Sequence, residues 1–418
     1  MLVRAFRTLA PLVLAAAAGA APAADIAGLL EPPAEQTAGA AGDAPATTDD
    51  DDASTAIDGG ATASREESPA EMTDGAGVAD TDHDDVATTA APPESPATTA
   101  ATPPAAAPAK KPPLKKPVLV PGTGAIVKGG GDDFEDPNWQ WYYNHPKSSE
   151  EQDKRLRAPT ARSRDGSWFE GPKRGTPDVV KPIELPAQGL EGSTHGLLIS
   201  TLNAGIPKRV TGQMQQDDLV FNLMRATSGQ GISVADSPSV VVRVYLPPFE
   251  QWENRSGPSF GFRAGCYTHA IITGDDHPDE GKWGLEEYWP GMFICFESSH
   301  EKRFKQDGAY LRIRGGRNGG EVMGPRITEL GWWTLGLSFS PDGMVHYFAS
   351  PGVDALTMDD HITSQFPYGY RTEWMKTYFF NVCTRDDGRT WSTPWVIDDP
   401  KAYFVKRPQM ATQPSKKR

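Results

Sequence analysis

The chain has 418 residues, a formal net charge of −14, 42 glycines, 38 prolines and three cysteines, with a mean hydropathy of −0.49. That length permits more than one domain without requiring it, since all-β sandwiches exceed 200 residues as single units. The charge is unevenly placed: residues 25–108 carry 18 acidic side chains against one basic, Arg65, so the rest of the chain is close to neutral and lacks the basic footprint of a nucleic-acid binder.

The N-terminus opens Met1-Leu2-Val3-Arg4-Ala5-Phe6-Arg7, followed by an apolar, Ala-rich run to Ala24. A basic start, a short apolar stretch and small residues at Ala18-Gly19-Ala20 or Ala21-Pro22-Ala23 predict a cleaved secretory signal peptide over 1–24. The run is too short for a comfortable membrane span, and no later segment resembles one, so the mature chain is expected to be exported without a transmembrane segment, to periplasm, envelope or medium.

Residues 25–130 are rich in Ala, Pro, Thr, Asp and Gly. Such a segment buries too little apolar surface to offset the entropy of ordering, and is expected to be disordered. It ends in Lys110-Lys111-Pro112-Pro113-Leu114-Lys115-Lys116 and a joint at Gly129-Gly130-Gly131. A folded domain is expected over 131–408 and a disordered tail over 409–418.

All eleven tryptophans fall after Asp132. One short helix is expected at 150–157, where Ser149 and Gln152 make a capping-box pattern and Pro159 stops it. Strand patterning recurs at 134–142, 196–202, 218–224, 239–246, 259–267, 291–297, 309–314, 376–383 and 395–405. The clearest unit runs from Trp333 to Phe339, turns at Ser340-Pro341-Asp342-Gly343 and returns through Met344–Ala349 as a hairpin. Many strands and scarcely any helix imply an all-β, two-sheet antiparallel sandwich. Cys266, Cys295 and Cys383 lack C-x-x-C spacing, and Cys295 sits in a strand pattern as a small buried hydrophobe.

The domain opens Asp132-Asp133-Phe134-Glu135-Asp136-Pro137-Asn138-Trp139 and closes with the run from Trp395 to Phe404, WVIDDPKAYF. These ends resemble secreted jelly-roll carbohydrate-binding modules and concanavalin A-like lectin/glucanase domains, whose first and last strands pair. The resemblance implies a jelly-roll sandwich. It also implies a structural calcium held by Glu135 and Asp398; ordinary strand-end carboxylates are the other reading. Pro400 departs from the pattern, which has an apolar residue there. Thr384–Trp391 resembles the Asp-box turn of sialidases, present once, and is read as a structural turn.

Alternation sorts strand residues onto faces. Val240, Val242 and Val244 oppose Arg243 and Tyr245; Phe260, Phe262 and Ala264 oppose Arg263, Tyr267 and His269; Leu311 and Ile313 oppose Arg312. If these strands share one sheet, one face is core and the other displays Arg, Tyr and His. Arginine grips carboxylate or sulfate and aromatic rings stack on sugars. Arg243, Tyr245, Arg263 and Arg312, with Trp252 and Trp283 from loops, are therefore the candidate ligand-binding residues. An extracellular polysaccharide is the expected partner. Arg263, Tyr267 and His269 are also the residue types a polysaccharide lyase needs, which is the enzymatic alternative. The paired-carboxylate strand signature of jelly-roll glucanases is absent. A structural cell-surface role is the third reading.

Overall fold

The computed structural model describes residues 25–30, 118–158, 160–272, 279 and 281–406. The expected signal peptide, nearly all of the acidic segment and the expected tail at 409–418 lie outside these residues. The chain divides into two compact units, one of residues 1–65 with 119–418 and one of residues 66–118. Only the first is described beyond a single residue, and no helix among the described residues is long and apolar enough to cross a membrane.

In chain order the strands are β1 Ala125–Gly131, β2 Trp141–Tyr142, β3 Arg162–Ser163, β4 Trp168–Glu170, β5 Val179–Glu184, β6 His195–Ser200 and β7 Gln215–Asn222. There follow β8 Ile232–Ser233, β9 Ser239–Leu246, β10 Gly257–Ile271, β11 Trp283–Tyr288, β12 Gly291–Glu297 and β13 Gly308–Arg314. The last are β14 Glu321–Ile327, β15 Gly331–Phe339, β16 Val345–Pro351, β17 His361–Gln365, β18 Trp374–Thr384 and β19 Trp395–Phe404. Among the described residues helix is confined to single turns, including α1 Glu150–Asp153 and α2 Leu223–Ala226.

These strands form the expected two antiparallel sheets. Sheet A has the order β17-β16-β15-β9-β19-β6-β5, with β1 also on β19. Sheet B has the order β14-β13-β12-β10-β18-β7-β4-β3-β2, with β11 on β10 and β8 on β18. The core lies between their inner faces: Val240, Val242 and Val244 of β9 and Leu335 and Leu337 of β15 meet Phe260 and Phe262 of β10, Ile294 of β12 and Phe380 of β18. The predicted hairpin forms in register, from Trp333 opposite Pro351 to Phe339 opposite Val345. All three cysteines are buried and free, consistent with their apolar surroundings.

First and last strands do pair, but the partner of β19 is Ala125–Gly131, upstream of the expected boundary at 131. The expected strand at 134–142 shrinks to Trp141–Tyr142. Its front half is a loop tied around Asp132, whose carboxylate accepts from the indole N–H groups of Trp139 at 2.9 Å and Trp168 at 2.8 Å. Phe134 beside it is buried with a φ of 57°. Pro400 sits where the β19 register shifts between Asp398 and Lys401, and its carbonyl accepts from Asp132 N. The predicted helix at 150–157 ends after one turn, because Lys154 turns left-handed at φ 60° and Arg157 folds back to pair with Asp153. The Asp-box-like segment is a turn, with Asp387 accepting from the backbone N–H groups of Arg389 and Thr390.

Candidate functional site

The alternation is right strand by strand, but the predicted polar face is split between the two sheets. Arg243 and Tyr245 are on β9 in sheet A, whereas Arg263, Tyr267 and His269 on β10 and Arg312 on β13 belong to sheet B. Arg243 is 8% exposed and donates from Nε to the Val353 carbonyl at 3.2 Å. Tyr245 is buried edge-on against Trp332. Tyr245 therefore belongs to a second apolar cluster on the outer face of sheet A, and Arg243 is tied to the backbone of Val353, which packs on that cluster, so neither lines an open ligand face. Trp252 is also corrected: it is buried, donates its indole N–H to the Pro247 carbonyl and packs on Phe296 and Trp395. Its Pro- and Gly-rich neighbourhood in the sequence is the bend that folds it inward.

On sheet B the remaining candidates come together. A row runs straight across six strands through Arg314, Gly291, Arg263, Phe379, Val220 and Phe169. Gly291 is required there, because a Cβ would stand 2.3 Å from the Arg263 side chain that lies over it. The Arg263 guanidinium stacks near the rings of Phe379, Phe293 and Trp289 at 5.3, 5.7 and 6.0 Å and donates to the Trp289 carbonyl. Desolvated contacts of this kind hold a cation rigidly. Arg263 is thus a buried positive floor. Arg312 is likewise buried, in an ion pair with Glu321 at 3.0 Å.

The accessible chemistry begins two pairs further along β10. Tyr267 stands opposite Glu287 of β11, and its hydroxyl hydrogen-bonds that carboxylate. The Trp289 side chain donates to the same carboxylate. Lys376, at the irregularity where β18 slips against β10, lies 3.7 Å above the Tyr267 ring, and Lys173 lies 4.3 Å above the Trp289 ring. All five are half-buried. Burial raises the Glu287 carboxyl above its ordinary value, while Tyr267, Lys173, Trp289 and Lys376 pull it back. Burial and then the Glu287 charge push the Tyr267 hydroxyl far up, so it stays protonated and acts as a donor. Burial lowers the Lys376 ammonium against the opposing pull of Glu287.

The same face continues along the β10–β11 pair. His269 stands opposite Leu285 and Ile271 opposite Trp283. Facing pairs point to one side of a sheet, so Tyr267, Glu287, His269, Leu285, Ile271 and Trp283 all share the face of Arg263. Trp283 is 71% exposed, Ile271 56% and Leu285 37%. His269 is exposed and lies 3.0 Å from the Glu373 carboxylate. The expectation of an exposed Trp283 fits this arm.

Of the two carboxylates expected to hold calcium, Glu135 is taken up by protein donors. The Glu135 carboxylate already accepts from the backbone N–H groups of Thr194 and His195 at 2.6 and 2.8 Å and from the Thr194 hydroxyl. Burial works to raise its pKa, but these donors hold it down at about 2. Calcium needs six or more oxygen ligands, and here the lone pairs face N–H and O–H groups. Asp398 is fully buried beside Ser193, Asp399 and Arg243. Among the described residues no three His, Cys, Asp or Glu side chains converge on a possible ion.

No protein-family model and no curated protein sequence matches the chain. Solved structures similar to it include a carbohydrate esterase from the Shiga toxin-encoding bacteriophage phi24B, at 10% identity over 66% of this chain and 100% of that one, TM-score 0.36. An endo-β-1,4-glucuronan lyase from the fungus Trichoderma reesei is similar at 11% identity over 62% of this chain and 94% of that one, TM-score 0.30. An alginate lyase from Klebsiella pneumoniae is similar at 10% identity over 52% and 84%, TM-score 0.28. At these scores no residue of this chain is matched to a residue of theirs.

Glu287, Lys376, Lys173 and Trp289 were not among the candidates read from sequence. The signal for Glu287 was present: Trp283, Leu285 and Glu287 alternate with Gly284, Glu286 and Tyr288, which turn to the buried side or toward it. Lys173 and Lys376 arrive from a loop and a strand irregularity, which no local pattern announces.

Proposed function

We propose that this protein is an exported, carbohydrate-binding β-sandwich that holds an anionic polysaccharide along the outer face of sheet B. The supporting observation is the register of β10 against β11, which aligns the Tyr267–Glu287 pair with the exposed Leu285, Ile271 and Trp283 on one face. Lys173, Lys376 and Arg263 outnumber Glu287 around the pair, which favours carboxylate or sulfate on the polymer. Trp283 offers a flat apolar platform for a sugar face. The basic, apolar and small-residue pattern of 1–24 supports export.

An eliminative lyase would use a tyrosine or histidine as base. Tyr267 shares one face with Arg263 and His269, but burial and Glu287 oppose its ionisation. This favours binding over turnover. The test titrates the full chain with neutral and acidic polysaccharides while following ultraviolet absorbance for unsaturated products. Binding of acidic polymers that weakens about tenfold in Lys376→Met and in Trp283→Ala is expected. Retained affinity in both variants refutes the site, and rising absorbance replaces binding with the lyase reading.

A further inference from the structure

The outer face of sheet A carries a second row that the proposed saccharide site does not use. Successive register pairs link Lys181 of β5, Leu198 of β6, Val396 of β19, Tyr245 of β9 and Trp332 of β15. Four of these five are large apolar side chains on the side of the sheet away from the core. An open row of this kind is a contiguous apolar patch, which soluble proteins rarely leave bare. Leu198, Val396, Tyr245 and Trp332 are nonetheless buried, and Ile26 lies among them at 1% exposure. Leu30 packs against the same cluster, and Lys181 Nζ donates to the Leu29 carbonyl at 2.8 Å. The segment closes as one 3-10 turn, Leu29 N to Ile26 O at 3.1 Å and Leu30 N to Ala27 O at 3.2 Å.

The sequence explains why this segment is the one that docks. Between residues 25 and 108 large aliphatics are isolated, as at Ile57, Met72, Val78 and Val86, except for Ile26, Leu29 and Leu30 within six residues. The chain returns to the same sheet further on: Ser338 Oγ donates to the Leu119 carbonyl, Gly122 N donates to Ser239 Oγ, and Pro121 sits over Gly336. A Cβ on Gly336 would stand 2.8 Å from Pro121, so glycine makes the close approach.

We propose that the outer face of sheet A is a docking groove whose occupant is this chain's own Asp25–Leu30. Ile26 is the anchor in the socket of Leu198, Val396, Tyr245 and Trp332, and Lys181 fixes the peptide's direction through the Leu29 carbonyl. The cut expected within Ala18–Ala23 leaves Asp25–Leu30 on the mature chain.

Amide hydrogen exchange on the full chain tests this. Leu29 and Leu30 are expected to exchange at least about tenfold more slowly than amides of the acidic segment, because opening costs the Ile26 contact. Ile26→Asp places a charge in the socket and should bring both amides to the free-peptide rate while β9 keeps its protection. Free-peptide rates in the unmodified chain, or protection that survives Ile26→Asp, overturn the proposal. If Ile26→Asp also unfolds β9, Lys181→Met decides: exchange at Leu29 and Leu30 should quicken at least about threefold, and an unchanged rate overturns it. Sedimentation of the unmodified chain at monomer mass is expected. A dimer whose Leu29 and Leu30 protection disappears on dilution would assign the groove to a second copy instead.

Discussion

Glu287 stands directly opposite Tyr267 across the β10–β11 pair, and the two side chains share a hydrogen bond on the outer face of sheet B. Burial raises the Glu287 carboxyl, so it takes up a proton at a higher pH than an exposed glutamate. On protonation the site loses its negative charge while Lys173 and Lys376 keep theirs. Affinity for a sulfated polysaccharide, whose own charge does not titrate, should therefore rise as pH falls through the raised pKa. A gain of about 1 kcal/mol, roughly fivefold, is the scale for one partly screened charge. Glu287→Gln should bind tightly at neutral pH and lose the step. Calorimetric titration across the mildly acidic range checks this, and an identical step in the variant rules out Glu287 as its source.

Trp283 and Trp252 should respond in opposite ways to truncation. Trp283 is 71% exposed, so Trp283→Ala should leave the unfolding midpoint nearly unchanged and lower polysaccharide affinity by about 1.4 kcal/mol, the tenfold loss expected above and within the scale of one aromatic contact. Trp252 is 5% exposed and packs on Phe249, Phe296 and Trp395. Trp252→Ala should cost about 3–5 kcal/mol of stability. Denaturant unfolding with polysaccharide binding on each variant separates the two. A stability loss at Trp283 matching that at Trp252 would show the arm to be part of the core.

Strand alternation made much of this legible before the fold was known. It placed Val240, Val242 and Val244 inward and set Arg263, Tyr267 and His269 on one outer face. It carries no information on which strands pair, because a sheet is assembled by contacts distant in sequence. That is why Arg243 and Arg312, each correctly turned outward, proved to lie on opposite sides of the molecule. Lys173 and Lys376 reach the site from positions with no periodic signature. Asp25–Leu30 was absorbed into a segment whose average composition concealed one apolar run. Glu135 carried a family resemblance, but its role is decided by the N–H groups of Thr194 and His195, which sequence separation of about 60 residues hides.

Asp398 predicts a pH-dependent stability term of definite sign. Burial lifts its carboxyl to about 7, against an ordinary value of 3.8, with the Asp399 charge adding to the rise and Ser193, the Asp399 backbone N–H and Arg243 opposing it. The folded state therefore binds the proton more tightly than the unfolded state. The stabilisation is complete below the ordinary value, declines as pH rises towards 7 and is gone above it. Asp398→Asn has no charge to bury, so its stability relative to the parent should grow through that window and level off. By about pH 8 the gain should be on the order of 4 kcal/mol. Urea unfolding of both proteins at several pH values measures the difference, and a difference that does not vary with pH would remove Asp398 as its cause.

The strongest stability effect expected from one charge lies at Lys147. Its ammonium is fully buried, 2.9 Å from Asp178 and 2.7 Å from Asp217, and donates to the Asn203 carbonyl. Burial opposes its charge, but the two carboxylates outweigh that and hold it well above the ordinary lysine range. Burial also opposes the charge on Asp178, where Lys147 prevails and lowers the pKa, whereas at Asp217 burial prevails and raises it. One cation thus serves two buried acids and ties the loop before α1 to β7 and to the β6–β7 connection. Lys147→Met strands both carboxylates, and breaking a buried pair in this way costs about 3–5 kcal/mol. Asp217→Asn in the same chain removes one stranded charge and should recover part of the loss, although alone it should destabilise because Lys147 then has one partner fewer. This reversal of sign is the signature of coupling. A double-mutant cycle by thermal unfolding reads it directly, and additive losses would mean that Lys147 acts through its packing and not through its charge.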